Sequence, residues 1–162
     1  MDKEDLRMYQ IECVPQLQFP LVNKFYKACH YSGNAGRGDT VFALRSAQGI
    51  VAAVRLQPQS EGWYFLRSMC VAPNLRGQGL GTQLLQGLET FLQQHPCYCY
   101  PFDHLQSFYE RAGFQRQDPL QAPEHMQEAF QRYILQGRKI ILMVRLLGTT
   151  ITRLSSRLES PH

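Results

Sequence analysis

Residues 63–94 read WYFLRSMCVAPNLRGQGLGTQLLQGLETFLQQ, and the fold follows from how this stretch divides. Trp63 to Val71 is rich in aromatic and long apolar side chains, the composition of a buried strand. Ala72 to Arg76 contains Pro73 and Asn74, which end the ladder and turn the chain. After the glycines at 77, 79 and 81, Leu80, Leu84, Leu85, Leu88, Phe91 and Leu92 recur at helical spacing, and Pro96 closes the run. A strand passing through glycines into a helix makes an anion site. The first N–H groups of a helix lack internal partners, the helix dipole adds positive charge there, and glycine leaves the main chain open to a bulky phosphate.

Three glycine-rich designs compete for that anion. A P-loop needs Gly-Lys-Ser/Thr, and Gly81-Thr82-Gln83 has no lysine. A dinucleotide fingerprint needs G-x-G-x-x-G and an acid about 20 residues on. Here the spacing is G-x-G-x-G, and Glu89 falls within the helix. The third design, Arg/Gln-x-x-Gly-x-Gly/Ala after a strand, is met in full by Arg76-Gly77-Gln78-Gly79-Leu80-Gly81. This loop, preceded by Met69-Cys70-Val71-Ala72-Pro73, resembles the acetyl-CoA pyrophosphate loop of the GNAT superfamily of N-acetyltransferases. The resemblance implies that Met69, Cys70, Val71, Arg76, Gly77, Gln78, Gly79, Leu80, Gly81 and Thr82 contact acetyl-CoA as co-substrate.

The remaining composition narrows the class. A chain of 162 residues fits one domain, taken as 1–148, with 149–162 as a loose tail of Thr, Ser and Arg. The formal charge of +4 favours acidic ligands. Lys and Arg are dispersed without interleaved aromatics, which argues against nucleic acid. Cys13, Cys29, Cys70, Cys97 and Cys99 show no metal-ligand spacing, so no metal is expected, and the cysteines read as reduced thiols of a cytoplasmic protein. The N-terminus, Met1-Asp2-Lys3-Glu4-Asp5, is unlike a signal peptide, and no apolar run reaches bilayer length.

Outward from the central stretch, Leu6 to Val14 is a weakly patterned strand ended by Pro15. A helix runs from Pro20 through about His30, with Leu21, Val22, Phe25, Tyr26 and Cys29 on its apolar face. Ser32 to Asp39, SGNAGRGD, reads as a mobile loop. Thr40 to Arg45 and Ile50 to Gln57 form an antiparallel meander with the central strand. Cys97 to Phe102 is a further strand, with Pro101 at its end and Cys97 and Cys99 on one face. Strand, helix, strand in one sheet implies a parallel pair, and splaying that pair by a bulge opens a slot. His104 to Arg111 is a short helix capped by Gly113, and Phe114 begins a short strand. Asp118 to Glu124 is a loop. Glu124 to Gln136 is a helix with Met126, Ala129, Phe130, Tyr133 and Ile134 on one face. Lys139 to Leu147, KIILMVRLL, is an apolar strand that sits inside the sheet or pairs across a homodimer.

Phe108-Tyr109-Glu110-Arg111-Ala112-Gly113-Phe114 is a second resemblance to the GNAT superfamily, in which F-Y-x-x-x-G-F carries a tyrosine facing the thioester sulfur. By position that residue is Tyr109. The two motifs together imply an α/β (α+β) fold, with a mixed, mostly antiparallel sheet flanked by helices and a splayed parallel pair. The pantetheine arm of the co-substrate occupies the splay in this family. They imply direct acetyl transfer to a primary amine, with N–H groups near Cys70 and Val71 stabilising the carbonyl oxygen and Tyr109 protonating the thiolate. Two positions depart from the family. Phe102, followed by Asp103, stands where many members have Asn, and the general base is unassigned among Glu61, Asp103 and His104. The acceptor expected is a small-molecule or amino-acid-like amine. A protein or peptide acceptor, or a non-catalytic acyl-CoA-binding module, is the alternative. In such a fold the acceptor pocket is built by the first helix, the Ser32–Asp39 loop and the Asp118–Glu124 loop, which the scaffold does not constrain.

Overall fold

The computed structural model describes residues 8–149. In chain order they form β1 (Gln10–Cys13), α1 (Phe19–Ala28), β2 (Thr40–Ser46), β3 (Gly49–Pro58), β4 (Tyr64–Val71), α2 (Leu80–Gln86) and α3 (Glu89–Gln94). There follow β5 (Cys97–Cys99), α4 (Gln106–Glu110), β6 (Gln115–Gln117), α5 (Glu124–Leu135) and β7 (Leu142–Arg145). The described strands make one sheet in the order β1-β2-β3-β4-β5-β7-β6. Only β4 and β5 among them run parallel; the other neighbours are antiparallel. The proposed 149–162 tail lies outside the described residues, apart from Thr149.

Strand alternation sends side chains to opposite faces, and each face is covered by helices. On one side Leu80, Leu84, Leu85, Leu88 and Leu92 pack with Leu56, Leu66, Cys97, Cys99, Tyr109 and Phe114. On the other, Val22, Phe25 and Tyr26 of α1 cover Val41, Ala43, Ala53 and Cys70. Met126 of α5 meets Phe65, Tyr98, Leu142 and Val144 on that same side.

Three expected elements differ in extent. The helix following the glycines is two helices, α2 and α3, separated at Gly87 and Leu88. A Cβ on Gly87 would lie 2.6 Å from Ile11, so β1 crosses where the glycine leaves room. The strand expected at 97–102 ends at Cys99, before Pro101, and Phe102 keeps only an isolated bridge to Ile140. The strand expected at 139–147 is confined to Leu142–Arg145. Beyond it Leu146 and Leu147 are exposed, as is Ile134 on the face of α5 expected to be apolar.

The decisive irregularity is in β4. Between the Ala53–Cys70 and Arg55–Arg67 pairs, β4 holds one residue more than β3. Ser68 absorbs the excess in the left-handed region, at φ 59°. This is a β-bulge, which bends the strand and ends regular pairing. Accordingly β4 and β5 are paired only at Tyr64–Cys97 and Phe65–Tyr98. Beyond those pairs they separate.

The strained serine is held from both sides. The Tyr26 hydroxyl donates to the Ser68 carbonyl (2.8 Å), and Arg55 Nη1 donates to Ser68 Oγ (3.1 Å). Arg55 Nε in turn pairs with Asp39 at 2.9 Å, with both side chains buried. The 32–39 segment, read from its glycines as a mobile loop, is therefore tied down. Gly36 N–H donates to Asp39 Oδ2 (2.9 Å), and Ala35 N–H donates to Asn23 Oδ1 (2.7 Å). Gly33 packs so closely over Ser68 that a Cβ there would sit 2.7 Å from Oγ.

Candidate active site

Where β4 and β5 part, a cavity of about 210 Å³ passes through the sheet. Its lining comes from both faces. Leu66, Met69, Cys99, Leu105 and Tyr109 belong to one side; Tyr31, Arg67, Tyr100, Tyr133 and Arg138 belong to the other. Tyr109 is positioned by α4, and the chain folds back at Gly113 (φ 88°). There Gly113 N–H returns to Glu110 O (3.0 Å) and Phe114 N–H to Tyr109 O (3.2 Å). The ring is wedged edge-on between Phe108 and Phe114. Burial raises its pKa, with smaller contributions from Cys99, Tyr31 and Cys97. Tyr109 is thus a neutral phenol across the working pH range, able to donate a proton but not to act as a base. A thiolate formed in the same surroundings would suffer the same desolvation, which keeps the proton transfer feasible.

At the other end of β4, the chain turns through Pro73–Leu75 and exposes Arg76 to Gly79. Gly77 and Gly79 both have φ 81°, and nothing lies within 4 Å of a Cβ built on either. Gly79 is the residue preceding α2, whose first N–H groups point back over this open backbone. The loop therefore fits a pyrophosphate: the main chain is bare, accessible and donor-rich. Leu80 contributes only its backbone there, because its side chain is buried in the core. Gly81 faces inward, with Phe108 3.4 Å from where its Cβ would be, so it brings α2 close to the helix that carries Tyr109. Arg76 Nε reaches the Val71 carbonyl (3.4 Å), and Thr82 is exposed on the first turn of α2.

The strand between these two points is also specific in its donors. Ala72 N–H donates to Val51 O (2.8 Å). By antiparallel alternation in this register, Cys70 directs its N–H to β3, while Val71 directs its own toward the splayed edge. Met69 lines the cavity. The Cys70 side chain is packed with α1 instead, and burial pushes its thiol up to about 12. A neutral, inaccessible thiol is no nucleophile. Among the described residues, none of Glu61, Asp103 and His104 lines the cavity. Phe102 does, at the mouth, stacked on His104.

Comparison with known proteins bears on the same segments. The family model described as "Acetyltransferase (GNAT) domain" matches residues 37–116, from the end of the tied loop through the Tyr109 turn. Residues 37–116 are a GNAT acetyltransferase domain. No curated protein matches it. Among solved structures it is similar to the ribosomal-protein-S18-alanine N-acetyltransferase from Escherichia coli, at 17% identity and a TM-score of 0.62, covering 88% of this chain and 96% of that one. It is also similar to N-acetylglutamate synthase from Neisseria gonorrhoeae complexed with coenzyme A and N-acetyl-glutamate (17%, TM-score 0.61, 85% of this chain and 34% of that one). A third is Arabidopsis thaliana Naa50 in complex with bisubstrate analogue CoA-Ac-MVNAL (12%, TM-score 0.59, 86% and 99%). These likenesses establish a shared GNAT fold.

Within that GNAT frame, sequence reasoning missed the residues on the α1 and α5 side of the cavity. His30, in the left-handed region at φ 58°, turns the chain after α1 so that Tyr31 stacks near Tyr26 and reaches the cavity. Gly137 (φ 81°) ends α5, and Arg138 N–H returns to Tyr133 O (3.2 Å), laying the guanidinium over the Tyr133 ring at 4.8 Å. Tyr100 is anchored by its hydroxyl to Met126 O (2.8 Å). Of these, Tyr133 is expected from the sequence only as part of the apolar face of its helix; Arg67 and Arg138 look like ordinary surface charges in the sequence. Among the described residues no helix is long and apolar enough to cross a membrane. No group of three or more His, Cys, Asp or Glu able to hold a metal ion occurs among them either.

Proposed function

We propose that this GNAT acetyltransferase moves an acetyl group from acetyl-CoA directly to the primary amine of a small-molecule or amino-acid-like acceptor, in the cytoplasm and without a metal. The observation that carries the reading is the alignment of three features along β4: the open Gly77–Gly79 backbone, the cavity at the Ser68 bulge, and Tyr109 facing that cavity. Acetyl-CoA supplies the thioester; the amine nitrogen bonds to its carbonyl carbon and the C–S bond breaks. Val71 N–H stabilises the charge on the carbonyl oxygen. Tyr109 gives its proton to the departing thiolate, and the proton shed by the amine restores the phenol through solvent. The arginine and tyrosine lining of a 210 Å³ cavity suits a compact acceptor better than an extended chain.

Titration with acetyl-CoA, CoA and NADH tests the reading. Micromolar binding of the first two and none of the third is expected. Gly79→Val should abolish that binding, because it places a β-branched side chain at φ 81° in the space the pyrophosphate needs. A Gly79→Val protein that binds acetyl-CoA normally would remove the loop assignment.

A cavity without a carboxylate or histidine predicts an unusual pH profile. With no protein base, kcat/KM should climb as the free-amine fraction climbs, and level off at the acceptor's own amine pKa. Tyr109, held neutral by burial, adds no falling limb in the working range. Profiles for two acceptors of different amine pKa should be displaced by that difference. A common inflection near neutral pH would reveal a protein base.

A further inference from the structure

We propose that the acceptor carries a carboxylate beside its amine, as an amino acid does, and that Arg67 and Arg138 recognise it. The inference rests on the acetyltransferase reading and adds the chemistry of the acceptor. It comes from the part of the cavity that catalysis leaves unused. Tyr109 stands on one side of the sheet; on the other the cavity is lined by Arg67, Arg138, Tyr31, Tyr100 and Tyr133. Among the described residues the lining includes two guanidiniums and no carboxylate to neutralise them.

Arg67 is built into place. It follows Phe65 by two residues on β4, so both side chains face α5. The guanidinium lies over the Phe65 ring at 4.9 Å, and Nη1 reaches Gln57 Oε1 only at 3.3 Å. Its Nε is buried and has no acceptor among the described residues. An unsatisfied buried donor is costly, and a donor on a cation asks for an anionic acceptor. Arg138 lines the same cavity, stacked over the Tyr133 ring and with its charge unneutralised by any residue lining the cavity. A carboxylate there would face the Arg67 fork, and the attached amine would extend through the splay toward Tyr109.

Two consequences make this arrangement coherent. An amine without an anion would enter as an ammonium among guanidiniums and be repelled, so the site selects against simple amines and polyamines. The same positive charge favours the unprotonated amine, the form that attacks, in a cavity that supplies no base. The approach has matching charge: Lys24 and Lys27 border a depression that shares Tyr31 with the cavity.

The test is steady-state thiol release with saturating acetyl-CoA, comparing each amino acid of a standard panel with its own α-carboxamide, in wild type and in Arg67→Gln, Arg67→Lys and Arg138→Gln. Acetyl-CoA titrations and thermal melts are run on every variant. Compared on the pH plateau of each acceptor, where both amines are unprotonated, wild type should prefer carboxylates by about tenfold or more in kcat/KM. Arg67→Gln should raise KM by a similar factor, leave kcat and acetyl-CoA affinity close to wild type, and erase the preference. Arg67→Lys should restore part of it. Arg138, exposed and outside the core, keeps the test open should Arg67→Gln melt early; its loss should also raise KM for the carboxylate. Equal turnover of the amides, a preference that survives both substitutions, or no turnover of any amino acid by a protein that binds acetyl-CoA would each overturn the proposal while leaving the acetyltransferase reading standing. Failure to bind acetyl-CoA would overturn both.

Discussion

Tyr109→Phe is expected to lower kcat by about 10²-fold or more while leaving acetyl-CoA affinity unchanged. The substitution removes one oxygen and keeps the ring between Phe108 and Phe114, so the turn that carries it should persist. What is lost is the proposed proton donor for the leaving thiolate. Rapid-quench or steady-state thiol assays measure the rate, and calorimetry measures the affinity. An acetylating variant with kcat within about threefold of wild type would assign the proton transfer to water or another group. A protein that merely sensed acyl-CoA would have no turnover for the substitution to remove, so the same experiment separates enzyme from binding module.

The second large effect is on stability. Arg55→Met is expected to cost about 3–5 kcal/mol, because it strands the buried Asp39 carboxylate. It also removes the donor to Ser68 Oγ, which helps hold a non-glycine residue at φ 59°. For a chain of this size the midpoint of thermal unfolding should fall by ~10 °C or more. The double variant Asp39→Leu/Arg55→Met should be more stable than Arg55→Met alone, since it leaves no unpaired buried charge. If the two proteins melt together, the ion pair contributes only packing. Because this pair also ties the 32–39 segment to the bulge, Arg55→Met should raise the acceptor KM through displacement of Tyr31.

The meander, the crossover helices and the buried strand were legible from local pattern, because period-2 and period-3.6 burial and the Gly/Pro punctuation are written into adjacent residues. Element ends were less so. The need for a glycine at 87 comes from Ile11, 76 positions away in the chain, and β5 is paired along its length with β7, which lies more than 40 residues on. Neither neighbour is visible in a local window.

The candidate site divides in the same way. The loop Arg76–Gly81 and the segment Phe108–Phe114 stand out in sequence because main-chain recognition of an anion and a capped helical turn demand particular residues at fixed offsets. By itself the sequence therefore carried the GNAT domain motifs and marked the loop proposed to hold the pyrophosphate and the tyrosine proposed as proton donor. Tertiary structure alone decided the rest. The bulge at Ser68 reflects a mismatch in residue count between β3 and β4, and such a mismatch exists only once the two strands are paired. The Asp39–Arg55–Ser68 chain joins residues from three elements, and it turns a glycine-rich segment into a fixed wall. Arg67 and Arg138 face one cavity because a strand face and a helix end converge across the splay. Charges that meet through space leave no periodic trace along the chain, so the end of the cavity proposed to take the acceptor appears only when the fold brings them together.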